Sequence, residues 1–181
     1  MAEIGSNIVR AKKFLVQSQL VSIPTETVYG LAANALDQDA VVKIFKVKDR
    51  PYFDPLIVHT HSLDQISKYT LDFPHKLYQL GKRLWPGPLT VILPKKKIIP
   101  DLVTAGKQDV AIRIPNHPLT LKLLQNLPFP LAAPSANPFG YISPTNPAHV
   151  LQNLGDKVPY ILDGGPCELG IESTIVGFRD D

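Results

Sequence analysis

The sequence is poor in cysteine and has no long hydrophobic run. Its single cysteine, Cys167, excludes an internal disulfide framework and a cysteine-rich zinc site. No apolar stretch approaches the roughly 18 residues that a membrane-spanning helix needs. The first residues also lack the basic segment followed by an apolar one that marks a signal peptide. We therefore expect a soluble, cytoplasmic protein with no membrane partner.

A strong charge of either sign is also absent. The 19 Lys and Arg residues outnumber the 16 Asp and Glu residues, which gives a net charge of +3 at pH 7. This balance tolerates anionic ligands but is weaker than the basic face typical of nucleic-acid-binding proteins. The composition, with 44% hydrophobic and 19% charged residues, is that of a globular protein. The length fits a single domain covering residues 1–181.

Short apolar runs and amphipathic segments follow one another along the chain, and prolines lie at their boundaries. The apolar runs predict strands at residues 20–23, 55–59, 89–93, 110–114, 131–133, 160–162 and 174–176. The amphipathic segments predict six helices. The first begins at Ser6 or Asn7 and the second at Asp37 or Asp39, and the other four cover residues 62–69, 74–84, 117–127 and 146–154. Because strands and helices interleave without strict alternation, we predict an α/β or α+β fold with a mixed sheet.

The common phosphate-binding and hydrolase motifs are missing: there is no P-loop, no Gly-x-Gly-x-x-Gly and no Gly-x-Ser-x-Gly. One polar segment instead follows a predicted strand, residues 24–30 (Pro-Thr-Glu-Thr-Val-Tyr-Gly). Its hydroxyls, carboxylate and phenol lie where ligand sites of layered α/β folds are found. The alternative is a helix cap, in which Thr25 or Thr27 begins a helix that passes through Gly30.

Two cationic residues stand at the end of a predicted helix. Lys48 and Arg50 suit that position because cations favour the negative end of the helix dipole. Pro51 follows directly, however, and a loop held by proline would fix the Arg50 guanidinium for bidentate binding of phosphate, with Lys48 as a mobile point charge. The sequence leaves both interpretations open.

The loop after the strand at 131–133 is rich in small polar residues. Ser135, Asn137 and Ser143 offer hydroxyl and amide groups for phosphate, ribose or a base, and the alternative is a structural loop of Ser and Asn turns. Arg113 lies within the aliphatic strand 110–114, where an arginine needs an anionic partner or an exposed face.

Other candidates are weaker. His59 and His61 have the spacing of a metal-binding pair on one strand face, but no third ligand is evident, so we predict no metal site and a surface or packing role for His61. Cys167 lacks an activating neighbour and is expected to be a buried thiol. The lysines at 95–97 fit a solvated turn, with a minor contact to RNA as the alternative.

In combination these segments resemble the YrdC/Sua5 family of threonylcarbamoyl-adenylate synthases. Each segment is a weak signal alone, but their joint order and spacing are specific and cover nearly the whole chain. The matching segments are residues 24–31, the Lys-x-Arg-Pro at 48–51, 55–59, the Trp-Pro-Gly-Pro-Leu-Thr at 85–90, 110–115, the Pro-Ser-Ala-Asn at 134–137, 143–145 and 170–174.

The resemblance implies a fold, an activity and partners. The family fold is a twisted mixed sheet flanked by helices, with a large positively charged cavity. The family joins L-threonine, bicarbonate or CO2, and ATP carried with Mg²⁺ into L-threonylcarbamoyladenylate, and it releases pyrophosphate. It is thus a nucleotidyltransferase, and a separate transferase machinery moves the threonylcarbamoyl group to adenosine 37 of tRNAs that read codons beginning with A.

The resemblance also implies roles for individual residues. The family's signature Lys, Arg, Ser and Asn match Lys48, Arg50, Ser135 and Asn137, of which the two cations would be catalytic. Threonine would be held by Thr27, His59, Arg113 and Ser173. The nucleotide would be held by Arg50, Asp54, Asp109, Ala133, Ser135, Asn137 and Ser143.

The sequence departs from the family at several positions. Asp54 occupies a position where the family frequently has Asn, and its carboxylate would repel phosphate unless it contacts Mg²⁺ or Arg50. Asp109 replaces a residue that is frequently Thr, and Phe139 replaces a small residue. Because the sequence stops at Asp181, we expect neither the family's further arginine-containing strand nor an additional carboxy-terminal domain. Arg179 lies too close to Thr174 to take the place of the missing arginine.

Two alternative functions fit the same fold. One is a non-catalytic module that binds double-stranded RNA or tRNA, which the modest net charge disfavours. The other is an enzyme that transfers a carbamoyl group to a different acceptor.

Overall fold

The computed structural model describes residues 1–178, so Arg179 lies outside the described residues. Nine strands and seven helices occur in this range. The strands are β1 (Glu3–Gly5), β2 (Val21–Ile23), β3 (Gly30–Asn34), β4 (Ile57–His59), β5 (Leu89–Pro94), β6 (Asp109–Arg113), β7 (Leu131–Ala132), β8 (Tyr160–Leu162) and β9 (Thr174–Val176). The helices are α1 (Ile8–Val16), α2 (Gln38–Lys48), α3 (Leu63–Ile66), α4 (His75–Leu84), α5 (Asp101–Thr104), α6 (Pro118–Gln125) and α7 (Pro147–Leu154).

All nine strands form one sheet in the order β1-β8-β2-β3-β7-β4-β6-β5-β9. The pairs β1–β8, β2–β8, β4–β6 and β5–β9 are parallel, and the other neighbours are antiparallel. The predicted mixed α/β architecture is therefore confirmed. Among the described residues, no helix is long and apolar enough to cross a membrane.

Residue alternation on β6 separates the hydrophobic core from a polar face. Val110 and Ile112 are buried in the larger apolar cluster, together with Ile44, Phe45 and Val58. Because successive side chains of a strand point to opposite faces, Ala111 and Arg113 lie on the other face of the sheet. This second face carries the candidate site.

Local signals in the sequence located most helix starts correctly. The side chains of Asn7 and Asp37 each accept two backbone hydrogen bonds at the beginning of α1 and α2, and Asn146 accepts one at α7. The predicted caps at Asn7 and Asp37 are confirmed, whereas the strands β1 and β3 and the short helix α5 were not predicted. The helix at 62–69 and the strand at 55–59 are shorter than predicted, at Leu63–Ile66 and Ile57–His59.

The alternative of a helix through Gly30 is wrong. The Thr25 hydroxyl accepts hydrogen bonds from the amides of Thr27 (3.2 Å) and Val28 (3.1 Å), which is the pattern of a cap. The chain then enters β3 at Gly30, whose partner in the sheet is Ile23 of β2. The hydroxyl thus stabilises a tight connection between two antiparallel strands and does not begin a helix.

We predict that Asp37→Ala lowers the free energy of unfolding by about 1 kcal/mol, since it removes the side-chain cap of α2. Asp37 also accepts a hydrogen bond from the Ser18 hydroxyl, which is the main reason that its pKa lies below the ordinary value. Asp39→Ala is the matched control, because Asp39 is exposed and lies in the same helical turn. Urea unfolding of both variants tests this, and equal destabilisation by the two would contradict it.

Candidate functional site

Two rows of residues cross the polar face of the sheet. In the first row, Arg113 of β6 pairs with His59 of β4 on one side and with Thr90 of β5 on the other. In the second row, Ala111 pairs with Ile57 and Ile92. The registers therefore place a polar row beside an apolar row on one surface.

Two adjoining cavities lie over these rows. The smaller one covers the polar row, and its wall includes Thr25, Thr27, Val28, Gly30, His59, Arg113 and Ala133. The larger one, of about 350 Å³, covers the apolar row, and its wall includes Arg50, Asp54, Leu56, Ile92, Ala111, Ser173 and Ile175. Both cavities are lined by Ile57, Pro134, Ser135 and Glu172, so they form one continuous cleft.

Arg113 lies at the base of the smaller cavity with Glu26 as its anionic partner. Its Nη2 is 2.7 Å from Glu26 Oε1, and each side chain is only 4% exposed. The same Nη2 donates a hydrogen bond to the Thr27 hydroxyl at 2.9 Å. Within residues 1–178, Arg113 Nε is buried and has no hydrogen-bond partner. The arginine therefore has an internal counter-charge, while its hydrogen-bonding capacity is only partly used.

His59 lies beside Arg113 as a neutral imidazole. Burial, and secondly the nearby Arg113 charge, lower the pKa of His59 from 6.5 to about 3. Its Nδ1 lies 3.2 Å from the Ile57 carbonyl oxygen. His59 thus offers a ligand hydrogen bonding without charge. His61 lines a different cavity, and no cluster of three potential metal ligands occurs within residues 1–178.

Ser173, the residue before β9, borders the polar row. Its hydroxyl lies 2.7 Å from that of Thr90, which is the neighbour of Arg113 in the sheet. Ser173 lines the larger cavity and not the smaller one. The structure therefore puts this predicted threonine ligand in the wall of the larger cavity, next to the polar row.

Arg50 forms one wall of the larger cavity and is held rigidly. Its Nη2 is 2.9 Å from Asp54 Oδ2 and donates to the Pro55 carbonyl oxygen at 2.9 Å, while Nε donates to the Asp54 carbonyl oxygen. Its guanidinium carbon also lies 5.8 Å from the centre of the Phe139 ring. Of the two conditions stated for Asp54, contact with Arg50 is thus met, and burial lowers the pKa of Arg50.

Lys48 is not the mobile point charge that the sequence indicated. It is fully buried, and its Nζ donates hydrogen bonds to the carbonyl oxygens of Ser135 and Asn137. The Lys48 carbonyl in turn accepts from the Phe139 amide at 2.7 Å. Burial, and then repulsion from Arg50, lower the pKa of Lys48 from 10.5 to about 7. The side chain ties the end of α2 to the Ser/Asn loop, because a buried ammonium must satisfy its donors.

The remaining predicted nucleotide ligands fall into two groups. Ser135 lines both cavities and Ala133 lines the smaller one. Asn137 and Ser143 line neither cavity. The Asn137 amide donates within its own loop to Tyr141 and Pro138, and the Ser143 hydroxyl donates to Glu172 Oε1 at 2.7 Å.

Asp109 is exposed and also lies outside both cavities. It begins β6 on the same face as Ala111 and Arg113, because side chains two residues apart on a strand share a face. Its carboxylate therefore stands beyond the apolar row, at the end of the strand opposite Arg113.

The cleft is not the strongly basic cavity that the resemblance implies. Its walls carry Arg50 and Arg113 but also Asp54 and Glu172, and Glu26 lies behind Arg113. Each arginine keeps its own carboxylate, because a buried guanidinium without a counter-charge would be strongly destabilising. The charge of the cleft is therefore mixed.

Three residues of the site were not identified from the sequence: Glu26, Thr90 and Glu172. Glu26 was noticed as a carboxylate in a polar segment, but its pairing with Arg113 joins positions 87 residues apart. Thr90 and Glu172 lie in segments that matched the family and carried no separate chemical signal.

Comparison with known proteins gives consistent matches. The sequence profile of the Sua5–YciO–YrdC family, described as "Telomere recombination", matches residues 13–181. The chain is 46% identical to the threonylcarbamoyl-AMP synthase of Pyrococcus abyssi (strain GE5 / Orsay) over 94% of this chain and 50% of that protein. It is 47% identical to the threonylcarbamoyl-AMP synthase of Bacillus subtilis (strain 168) over 99% of this chain and 53% of that protein.

The fold is likewise shared with a solved structure. The crystal structure of P. abyssi Sua5 complexed with L-threonine matches with a TM-score of 0.94 and 42% identity, over 98% of this chain and 54% of that one. The chain spans about half the length of these relatives. On the extent of the profile match and on these identities, the chain belongs to the Sua5–YciO–YrdC family.

Proposed function

We propose that the chain synthesises L-threonylcarbamoyladenylate from L-threonine, bicarbonate or CO2, and ATP, with release of pyrophosphate. Two relatives that match nearly all of this chain carry the name threonylcarbamoyl-AMP synthase. The product would supply a separate transferase machinery that modifies adenosine 37 of tRNA.

One observation carries the proposal: a polar pocket with an unpartnered buried arginine nitrogen opens directly into a larger cavity with an apolar floor. The two compartments share Ser135, so an amino acid in the first and a nucleotide in the second would be neighbours. Joining two such molecules requires this adjacency, because positioning two reactants in contact removes much of the entropic barrier.

The smaller cavity suits threonine. Its α-carboxylate would accept hydrogen bonds from the Arg113 guanidinium at the base of the cavity. The threonine hydroxyl and amine would meet the Thr27 hydroxyl and the neutral imidazole of His59. Ser173, beside Thr90, would complete the binding groups from the wall of the larger cavity.

The larger cavity suits a nucleotide. Ile57, Ala111 and Ile92 provide an apolar floor for the flat face of a base. Arg50 would exchange its contact with Asp54 for contacts with phosphate oxygens, since a guanidinium binds either anion with the same geometry. Mg²⁺ enters with ATP as part of the substrate, and Glu172, an exposed carboxylate on the wall, suits it as an oxygen donor.

The chemistry then needs no covalent bond to the protein. Bicarbonate supplies CO2 with loss of hydroxide, which takes up a proton from the threonine amine and leaves as water. The amine forms a C–N bond to CO2, and an oxygen of the new N-carboxylate attacks the α-phosphorus of ATP. The bond from the α-phosphorus to the bridging oxygen breaks, and pyrophosphate leaves with the electron pair. The site contributes positioning and stabilisation of the charge on the phosphoryl oxygens.

The decisive experiment is to mix the purified chain with ATP, Mg²⁺, bicarbonate and L-threonine. We expect pyrophosphate release that requires threonine, together with a threonylcarbamoyl-adenylate detected by mass spectrometry. Turnover of ATP without threonine would indicate a different acceptor. Salt-sensitive binding of RNA with no turnover would indicate a binding module instead.

We predict that Arg50→Ala lowers the rate of pyrophosphate release by about 10²–10³, the usual effect of removing one donor that stabilises transition-state charge. Arg10→Ala is the control, because Arg10 forms an exposed ion pair with Glu3 on the surface. Both variants are compared at saturating ATP and threonine. A rate for Arg50→Ala close to that of the control would refute the role of Arg50.

In this proposal Lys48 acts through the Ser/Asn loop. Its two hydrogen bonds to the carbonyl groups of Ser135 and Asn137 keep Ser135 between the two cavities. Replacing Lys48 would therefore impair both the loop and the stability of the protein.

We predict that the stability advantage of the natural chain over Lys48→Met grows as the pH rises from 7 to 9. The pKa of Lys48 is about 7 in the folded protein and 10.5 ordinarily, so between these values the unfolded chain binds an additional proton. Stability must therefore increase with pH in that window, by at most about 1.4 kcal/mol per pH unit. Urea unfolding of both proteins at pH 7, 8 and 9 measures it. A difference that stays constant would contradict the lowered pKa.

A further inference from the structure

Glu26 is a buried carboxylate that the proposed reaction does not use directly. It lines neither cavity of the cleft, yet it contacts the arginine at the base of the smaller one. We propose that Glu26 is a positioning residue for the amino-acid substrate: it fixes the Arg113 guanidinium at the base of the smaller cavity, where the guanidinium can bind the substrate's α-carboxylate. This inference rests on the proposed function for the identity of the amino acid.

The contacts of Glu26 divide between its two carboxylate oxygens. Oε1 lies 2.7 Å from Arg113 Nη2, and Oε2 accepts a hydrogen bond from the Asn116 amide at 2.9 Å. Asn116 follows β6, the strand that carries Arg113. The carboxylate therefore links the guanidinium to the backbone just beyond the same strand, which restricts rotation of the arginine side chain.

The backbone of Glu26 is fixed as well. Its carbonyl oxygen accepts a hydrogen bond from the Leu169 amide at 2.8 Å, and the next carbonyl, of Thr27, accepts from the Gly170 amide at 3.0 Å. The Thr25 hydroxyl holds the same turn through the amides of Thr27 and Val28. Glu26 is thus anchored between two separate segments of the chain and forms a rigid support for Arg113.

The hydrogen bonds of the pair are incomplete. Within residues 1–178, both Arg113 Nε and Glu26 Oε1 are buried without an aligned hydrogen bond, although the two side chains are in charge contact. Glu26 therefore compensates the arginine's charge without saturating the donors of the guanidinium. Because a buried donor without a partner is costly, a substrate carboxylate that binds the guanidinium would gain the full value of its hydrogen bonds.

The neutral amide of Glu26→Gln cannot reproduce this arrangement. It has one acceptor oxygen for two donors, Arg113 Nη2 and the Asn116 amide, so its NH2 group would face one of them. We expect the guanidinium to turn away from the cavity. A purely structural ion pair would instead affect overall stability and every ligand to the same degree.

The test measures binding of L-threonine alone by calorimetry, with turnover assayed separately. For Glu26→Gln we expect the threonine Kd to rise about 10- to 100-fold, the loss typical of one charge-assisted hydrogen bond. The KM for threonine should rise in parallel, while kcat at saturating threonine and the KM for ATP stay within about threefold of the original values. Glu26→Asp, which retains the charge, should recover part of the affinity.

Glu3→Gln is the matched control, since it removes the carboxylate of an exposed pair with Arg10 far along the sheet from β6. Unchanged threonine affinity in Glu26→Gln, or equal losses for threonine and ATP, would overturn the inference. If Glu26→Gln does not fold, the same comparison is made with Glu26→Asp, whose threonine affinity must then fall while the KM for ATP is retained.

Measurements on the unsubstituted chain distinguish failure of the proposed function from failure of the inference about Glu26. If it binds threonine but releases no pyrophosphate, the synthase activity is wrong while calorimetry still decides the role of Glu26. If it binds no threonine, both proposals are overturned.

Discussion

A buried arginine requires a carboxylate, and the contact between Arg113 and Glu26 meets this requirement with both side chains only 4% exposed. Much of the site depends on this pair. Arg113 is the last residue of strand β6. Glu26 and Thr27 lie in the turn after β2 and contact its guanidinium. Without the carboxylate, the cost of desolvating the guanidinium would displace it from the base of the cleft.

The same strand explains why the cleft has a polar and an apolar part. The registers of β4, β5 and β6 place two neighbours beside Arg113 and two beside Ala111, so that the polar row changes to an apolar row along the strand. On the opposite face, Val110 and Ile112 are part of the core. A shift of one residue in register would bury Arg113 among aliphatic side chains, and the burial of the core therefore fixes the geometry of the site.

The sequence predicted those features that depend on near neighbours. Asn7, Asp37 and Asn146 begin helices because a side-chain oxygen needs to reach only two or three residues ahead. Apolar runs located most strands, but β1 and β3 were missed, since Glu3–Gly5 and Gly30–Asn34 contain few strongly β-forming residues. These strands exist through pairing with β8 and β2, which no local pattern shows.

The candidate site was predicted by residue type better than by arrangement. Arg113 was expected to need an anion, but the choice of Glu26 depends on the fold, which brings distant segments together. Lys48 matched the family signature at its position and was assigned mobility, whereas α2 directs its side chain inward, to two carbonyl groups. Sequence patterns give the chemical group available at a position; the direction in which it points follows from tertiary packing.

The mixed charge of the cleft has a consequence for the proposed reaction. Arg50 is paired with Asp54 and Arg113 with Glu26, so neither cation is bare before substrates bind. When a phosphate takes the place of Asp54, one ion pair replaces another, and the net gain in the ground state is smaller than for an unpaired cation. Interactions that strengthen only as charge develops on the phosphoryl group are then the ones that accelerate the reaction. In the proposed reaction, release of pyrophosphate would be eased for the same reason, because Asp54 would pair again with Arg50.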